Sequence, residues 1–486
     1  MLCCRQQLFS AKILKKGKEI YFRHLFLIDK MSIKKFLPYY KRNLTLALPI
    51  IISQLGQVTV SLVDTFMVGA LGTVELAAVA FASSIYSLIF IFGLGFSLGQ
   101  TPHVGKAFGK KQWWKIGIIF QNALLINIIL GIILTAAVFL LTPLLYSLHQ
   151  PENVVNVAMP YFKWSVASSI PILLFFTCRQ FAEGVGNTRI AMWVTISGNI
   201  LNIMLNYLLI FGKFGFPALG VEGAGITIFI VRVSMASAFV MLIFGHQALK
   251  KFTQFFSWRK FYKPALYKLI TTGFPISGQL VVEVLVFSLS AIMIGWINEV
   301  NLAAHQIVLQ LASATFMVGL GVGAAGTILI SQQFGSKHYK ATRFIALTSL
   351  HIVTVFNILT AIAFIVLRYQ IPSWFSNDSE VIYVAAQLFI IAGIFQLFDG
   401  WQMVGLAALR GLTDVTFAMF IAITCYIFIN IPVSYLLGFV WNLGSVGVWT
   451  GLCVGLIVAA GAYRLRFLYF MKRYKKTEHI CAPLNS

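Results

Sequence analysis

The sequence predicts an all-α polytopic membrane protein, with twelve transmembrane helices arranged as two pseudo-symmetric six-helix bundles. Hydrophobic residues make up 59% of the 486 residues and charged residues only 10%. This leaves too little polar surface for a water-soluble protein of this size. Apolar runs of bilayer-spanning length recur along nearly the whole chain. The two halves of the chain also resemble each other in sequence.

We interpret each apolar run as one membrane-spanning helix. Six fall in the first half, at about 44–70, 76–102, 116–142, 160–182, 190–212 and 220–246. Six fall in the second half, at about 269–297, 302–330, 344–367, 381–408, 415–440 and 446–470. The predicted domains are a basic N-terminal segment (1–43), an N-lobe (44–246), a linker (247–268), a C-lobe (269–470) and a tail (471–486). Residues 1–30 precede a second methionine, Met31, and could be an upstream extension.

The net charge is +23, and most basic residues lie in alternate connections between the predicted spans. Basic residues collect in the N-terminal segment, in 106–115, 250–268 and 337–343, and in the tail, whereas the opposite connections hold mainly Lys163, Lys213 and Arg368. The positive-inside rule therefore predicts a multi-pass plasma membrane protein (the inner membrane in a bacterium) with both termini in the cytoplasm. The partner of the apolar surface is the lipid bilayer, and we expect no nucleic-acid partner. The six cysteines are scattered without a CxxC pair, so we expect no zinc or redox site.

The internal repeat is visible at a shift of 226 residues. It aligns Pro49 with Pro275, and the register holds without a gap to Phe108-Gly109 and Phe334-Gly335. Each half has an even number of spans, so both halves enter the membrane in the same orientation. Transporters built in this way bind substrate near the membrane midplane between the halves and expose it to each side in turn.

Three acids lie inside predicted spans: Asp64, Glu283 and Asp399. An acid near the bilayer centre costs roughly 2.5–3.5 kcal/mol on insertion scales, which makes an ion or substrate pathway the default hypothesis. The repeat aligns Glu283 with Gln57 and Asp64 with Ser290. The halves therefore share a scaffold and differ in chemistry.

The acids suggest two candidate polar sites. Glu283 and Asp399 have Gln279 and Gln402 on the same helix faces, and such a pair can bind a cation or a proton. Alternatively, the two acids are only hydrogen-bonded to neighbouring helices. Asp64 is grouped with a stripe of asparagines on the fifth span, whose alternative role is helix packing; they are Asn199, Asn202 and Asn206.

Two further pairs are candidates for a gate at cytoplasmic span ends, since Arg179 and Glu183, and Arg410 and Asp414, each have i, i+4 spacing. Ordinary helix-end ion pairs are the alternative. The GxSxG match at 95–99 lies within an apolar span, and the GxGxxG match at 321–326 follows no strand. We therefore expect no enzyme activity and no cofactor. His305 could titrate near neutral pH, although a packed, hydrogen-bonded histidine is the favoured interpretation.

The chain resembles the multidrug and toxic compound extrusion (MATE) transporters, in particular their NorM-like branch, over about residues 40–470. The motifs that carry the resemblance are Pro49 with 63–65, 178–184, 212–220, 273–283, 303–306, 396–399 and 409–411. The resemblance implies a monomeric antiporter with a MATE/MOP-type fold, which exports organic, often cationic drugs in exchange for Na⁺ or H⁺. It places the cation site at Glu283 and Asp399, and Asp64 with Asn202 and Asn206 in the first lobe. At Phe395 this branch often has a tyrosine, so a possible Na⁺ ligand is missing.

Three alternatives remain open at this point. A flippase of the same superfamily, moving lipid-linked sugars, should have a more basic central cavity, and Arg232 is the notable basic residue within a span. An intramembrane enzyme would need a nucleophile–base or metal constellation. A passive channel fits poorly with the different acids in the two halves.

Overall fold

The computed structural model describes residues 35–142, 151–256 and 261–480. Within these ranges twelve helices are long and apolar enough to cross a membrane. They are α1 (Leu37–Gly69), α2 (Thr73–Gly109), α3 (Trp113–Leu140), α4 (Glu152–Gly184), α5 (Thr188–Phe211), α6 (Gly220–Gly245), α7 (Lys263–Gly295), α8 (Glu299–Gly335), α9 (Tyr339–Val366), α10 (Ser379–Leu412), α11 (Val415–Val440) and α12 (Gly444–Tyr474). We call α1–α6 the first lobe and α7–α12 the second lobe. The predicted extension at 1–30 lies outside the described residues.

All twelve predicted spans are confirmed, and several helices extend beyond their apolar runs. α7 already begins at Lys263, and α2 and α8 continue to Gly109 and Gly335. Each of these two helices ends just before a lysine in the left-handed conformation, Lys111 (φ 56°) or Lys337 (φ 61°). The end of such a helix is set by backbone geometry at its cap, which a hydropathy pattern does not record.

We call the end of the molecule at which α2 meets α3, and α8 meets α9, the basic end. Lys110, Lys111 and Lys337 lie in these two connections, and Lys340 lies in the first turn of α9. The opposite end joins α1 to α2 and α7 to α8. The repeat is visible in the helices themselves, because Pro49 lies inside α1 and Pro275 lies inside α7 at equivalent positions. Proline removes a backbone donor and loosens a helix locally.

Each lobe is held together by two buried apolar clusters, one toward each end. In the first lobe they are built around Phe175, Phe181 and Phe239, and around Tyr161, Phe162 and Val68. In the second lobe they are built around Phe389, Trp449 and Leu452, and around Leu409, Tyr463 and Phe467. A smaller cluster joins the lobes and contains Ala47, Val322 and Val353. Within a bilayer, close packing of these side chains holds the helices of each lobe together, because lipid tails are as apolar as the side chains.

Hydrogen bonds between the lobes lie in the half of the bundle nearer the basic end. Tyr40 Oη and His351 Nδ1 are 2.7 Å apart, and Asn43 donates to Ser349 Oγ at 2.6 Å. Closer to the middle, Ser277 of α7 donates to the Phe92 carbonyl of α2 at 2.7 Å. The lobes are therefore joined at this end, and the acids lie farther along their helices.

Candidate functional site

The first-lobe acid is bound to the asparagine stripe. Asn206 Nδ2 of α5 donates to Asp64 Oδ1 of α1 at 2.6 Å and to Asn202 Oδ1 at 3.2 Å. Asn199 lies one turn nearer the basic end, where its amide nitrogen approaches Gly56 so closely that a Cβ there would stand 2.8 Å away. The i, i+3, i+7 stripe thus faces α1 along its length. The structure brings Asp64, Asn202 and Asn206 together, as the spacing predicted.

A buried arginine accompanies this acid in the first lobe. Arg232 of α6 donates to Tyr86 Oη and to Ser168 Oγ, both at 2.6 Å. Its guanidinium carbon lies 5.1 Å from the centroid of the Tyr86 ring. Tyr161, buried on α4, lies within electrostatic reach of both Arg232 and Asp64. Arg232 could be recognised in the sequence because it is a charged residue within an apolar span. Its hydroxyl partners could not be predicted from residue spacing.

The second-lobe acids are both buried. Glu283 of α7 is 8% exposed and Asp399 of α10 is 5% exposed, and the two carboxylates interact electrostatically. Near them, Gln402 Nε2 donates to Tyr426 Oη at 2.6 Å. Tyr426 lies on a π-helical segment of α11, Thr424–Asn430. Such segments occur often at functional sites, but the sequence analysis assigned no role to this tyrosine.

Arg410 closes this site toward the basic end. Its Nη2 donates at 2.9 Å to Oε1 of Gln279, the residue one turn before Glu283. Its charge attracts the Glu283 carboxylate, although no ion pair within 4.0 Å forms between them in the described residues. Gln279 therefore links Arg410 of α10 to α7, the helix that also carries Glu283.

The pairing expected between Arg410 and Asp414 does not form, and the helix end explains why. α10 ends at Leu412, and Thr413 adopts a left-handed conformation with φ 60°. The i, i+4 rule applies only within a continuous helix. Asp414 instead binds Arg466 of α12 through two contacts of 2.6 and 3.2 Å.

The other expected gate pair is present. Arg179 Nε donates to Glu183 Oε1 at 2.7 Å within the last turns of α4, and both side chains are buried. Arg179 also reaches Gln54 Oε1 of α1 at 3.4 Å. The pair thus lies inside the first lobe, where it connects α4 to α1. Gln57, the repeat counterpart of Glu283, lies half-buried one turn farther along α1.

An aromatic wall surrounds Phe395, which lies one turn before Asp399. The Phe395 ring packs edge-on against Trp449 at 5.4 Å between centroids and against Phe287 at 6.2 Å. Trp449 in turn donates to His305 Nδ1 at 3.1 Å. His305 is thus packed and hydrogen-bonded, as favoured by the sequence analysis. Phe395 offers no oxygen toward the acids.

Four polar atoms of the second-lobe site, two acceptors and two donors, have no hydrogen-bond partner among the described residues. The acceptors are Glu283 Oε2 and Gln402 Oε1, and the donors are Gln279 Nε2 and Arg410 Nε. Two free oxygens beside a second carboxylate can accept a proton or contribute to Na⁺ binding. They are few for a hard cation, which prefers about six oxygen ligands. The described part of the chain contains no cluster of three or more His, Cys, Asp or Glu side chains able to hold a metal.

The family comparison matches both halves of the chain. The MatE family model matches residues 49–208 and 275–436. The two matches begin at Pro49 and Pro275, the equivalent prolines of the internal repeat.

Similar curated proteins extend along nearly the whole chain. A "Probable multidrug resistance protein NorM" of Agrobacterium fabrum is 31% identical over 447 residues, which cover 90% of this chain and 96% of the relative. A "Multidrug resistance protein NorM" of Photobacterium profundum is 30% identical, covering 88% and 95%.

Solved structures show the same fold. The eukaryotic MATE transporter AtDTX14 superposes with a TM-score of 0.82 at 20% identity, covering 91% of this chain and 98% of that one. A MATE family transporter described in an outward-facing conformation gives 0.83 at 19% identity, covering 90% and 97%.

Proposed function

Because this chain belongs to the MatE family, we propose that it is a monomeric antiporter that exports organic, often cationic drugs in exchange for H⁺ or Na⁺. The NorM relatives are named as multidrug resistance proteins, which supports drugs as the substrate class. The buried acid pair Glu283 and Asp399 carries the proposal, because one of its oxygens is free to bind a cation. We propose no enzymatic step and no cofactor.

We propose that cation binding and drug binding oppose each other at these acids. A proton or Na⁺ arriving from outside neutralises a carboxylate and weakens its attraction for a cationic drug, which then leaves outward. Phe287, which is partly exposed beside Phe395, supports this assignment, since aromatic faces bind flat organic cations. Asp64 with Asn202 and Asn206 forms a second polar cavity in the first lobe, to which we assign a related coupling role.

One observation favours H⁺ over Na⁺ as the coupling ion. Phe395 supplies no oxygen ligand beside Asp399, so few oxygens are available at this site. A short supply of oxygen ligands disfavours a hard metal ion. A proton needs only one free carboxylate oxygen.

We propose that the basic end is cytoplasmic, in the plasma membrane (the inner membrane in a bacterium). The lysines of the α2–α3 and α8–α9 connections support this orientation through the positive-inside rule. The lobe boundaries at 44–246 and 269–470 follow from the same arrangement, and alternating access would occur by rocking one lobe against the other.

Purified protein in sealed vesicles tests the function. A cationic dye is supplied, and its transport is measured under an imposed proton gradient and, separately, under an imposed Na⁺ gradient. We expect gradient-driven dye transport, with the proton gradient as the effective one. Transport driven only by Na⁺ would reverse the ion assignment. No transport under either gradient, with translocation of lipid-linked sugars instead, would favour a flippase.

A further inference from the structure

The ends of α2 and α8 cross at the basic end with almost no space between their backbones. A Cβ on Gly109 of α2 would collide with the Gln332 carbonyl of α8, and a Cβ on Gly335 would collide with the Lys106 carbonyl. Glycine permits this approach because it has no side chain. The two helices thus bring Lys106 and Gln332 against the other lobe.

Lys106 of the first lobe caps a helix of the second lobe. Its Nζ donates to the Leu412 carbonyl at 2.8 Å and to Thr413 Oγ1 at 2.7 Å, and lies 4.8 Å from the centroid of the Phe334 ring. Leu412 is the last residue of α10. Terminal carbonyls of a helix have no partner within it, and a cation is favoured beside them.

Gln332 of the second lobe caps a helix of the first lobe. Its Nε2 donates at 3.1 Å to the carbonyl of Gly184, the last residue of α4 in the first lobe. Its Oε1 also accepts from Arg42 Nη2 at 3.2 Å. Each lobe therefore supplies a side-chain donor to a terminal carbonyl of its neighbour.

These two contacts are related by the internal symmetry. The shift that aligns Pro49 with Pro275 also aligns Lys106 with Gln332. The ends of α4 and α10 are similar too, because Gly186 N donates to the Glu183 carbonyl as Thr413 N donates to the Arg410 carbonyl, at 2.8 and 2.9 Å. Gly186 and Thr413 both have a positive φ, 89° and 60°. The accepting carbonyls, Gly184 and Leu412, are one residue out of register when Gly186 is aligned with Thr413. The donor is the charged Lys106 ammonium in one contact and the neutral Gln332 amide in the other.

We propose that Lys106 and Gln332 are reciprocal helix caps that hold the lobes closed at the basic end and must both break for that end to open. Only the role of this opening in transport rests on the proposed function. The carbonyls belong to helix ends that are fixed within their own lobes, so the donors lose them only when the lobes separate. Because the ammonium is charged, the Lys106 cap is the stronger of the two.

Accessibility of a buried interface residue tests the caps directly. Ser331 is fully buried on α8 against Gly105 of α2. In protein whose six native cysteines are replaced by alanine, Ser331→Cys is labelled with a water-soluble maleimide in detergent, without drug or ion gradient. We expect Lys106→Met to raise the labelling rate about threefold or more, as a shift toward the open state requires. Gln332→Ala should raise it less, and the double variant most.

Controls separate a cap from general damage to the fold. Lys110→Met removes an exposed lysine of the same connection and should leave the labelling rate unchanged. Lys106→Arg keeps a donor and a charge and should restore slow labelling, which a misfolded protein could not do. Parental labelling rates in both Lys106→Met and Gln332→Ala would overturn the proposal. Faster labelling of the two cap variants, together with a parental protein that fails to move dye, would retain the caps and reject the transport function.

Discussion

Asp64 and Glu283 are both acids inside the bundle, but their neighbours differ. Asn206 donates to Asp64 at 2.6 Å, whereas Glu283 Oε2 has no partner among the described residues. Arg410 lies near Glu283, whereas in the first lobe Tyr161 lies within electrostatic reach of both Asp64 and Arg232. The two carboxylates therefore differ in their hydrogen-bond partners and in the charges near them.

Truncation of Asn206 should strengthen cation binding in the first-lobe site. Asn206→Ala removes a hydrogen bond to the charged Asp64 carboxylate, and such bonds contribute roughly 1.5–3 kcal/mol. We expect the cation concentration for half-maximal exchange to fall about tenfold, or roughly 1.4 kcal/mol. Dye transport at varied cation concentration measures it. Asn199→Ala is the control, because Asn199 approaches Gly56 and is not part of the Asp64 hydrogen bond. Equal shifts in the two variants would contradict a specific role for Asn206.

Removal of Arg410 should strengthen cation binding in the second lobe. Arg410→Gln removes a positive charge that competes for Glu283, and the acid pair then holds H⁺ or Na⁺ more tightly. We expect the cation concentration for half-maximal exchange to fall about tenfold, or roughly 1.4 kcal/mol. Lys340→Gln, at an exposed lysine of the same lobe, should leave it unchanged. A rise in that concentration would show that Arg410 supports cation binding instead.

The acids and asparagines could be predicted from sequence because each is a rare polar residue in an apolar helix. The partners of Gln402 and Asp414 could not. Tyr426 and Arg466 lie on other helices than the groups that they bind, and spacing along the chain carries no record of such contacts. The Arg410–Asp414 prediction was wrong for a related reason, since the helix ends between the two residues.

At the scale of helices, twelve spans follow from long apolar runs, whereas their ends and internal irregularities do not. The π-helical segments of α11, Thr424–Asn430 and Leu436–Val440, have an ordinary apolar composition. The caps made by Lys106 and Gln332 use backbone carbonyls, which every residue has. Hydropathy therefore predicts which segments are helices but not how their ends meet.

The crossing of α2 and α8 can be tested with a single methyl group. Gly335→Ala places a Cβ against the Lys106 carbonyl, whereas Gly319→Ala on the same helix meets nothing within 4 Å. Overpacking of a tight contact costs typically 1–3 kcal/mol, so Gly335→Ala should lower the melting temperature in detergent. Gly319→Ala should leave it unchanged or raise it, because alanine favours helix by roughly 0.5–1 kcal/mol. Equal melting temperatures would show that the crossing is less tight than described.

At the scale of the whole molecule, two similar lobes carry different chemistry. The repeat preserves the prolines and the crossing of α2 with α8, but it places Gln57 opposite Glu283 and Ser290 opposite Asp64. Hydrogen bonds join the lobes toward the basic end. The two lobes therefore share a scaffold, and their acids have different neighbours.

The central claim is that the Glu283–Asp399 pair couples ion entry to drug export, and dye efflux tests it most directly. Efflux is measured from cells that carry Glu283→Gln or Asp399→Asn, at matched amounts of protein in the membrane. Glu299→Gln, at an exposed acid of α8, is the control. We expect efflux to fall about tenfold or more in both acid variants, a loss of at least about 1.4 kcal/mol, and to stay normal in the control. Parental efflux in both acid variants would contradict the claim.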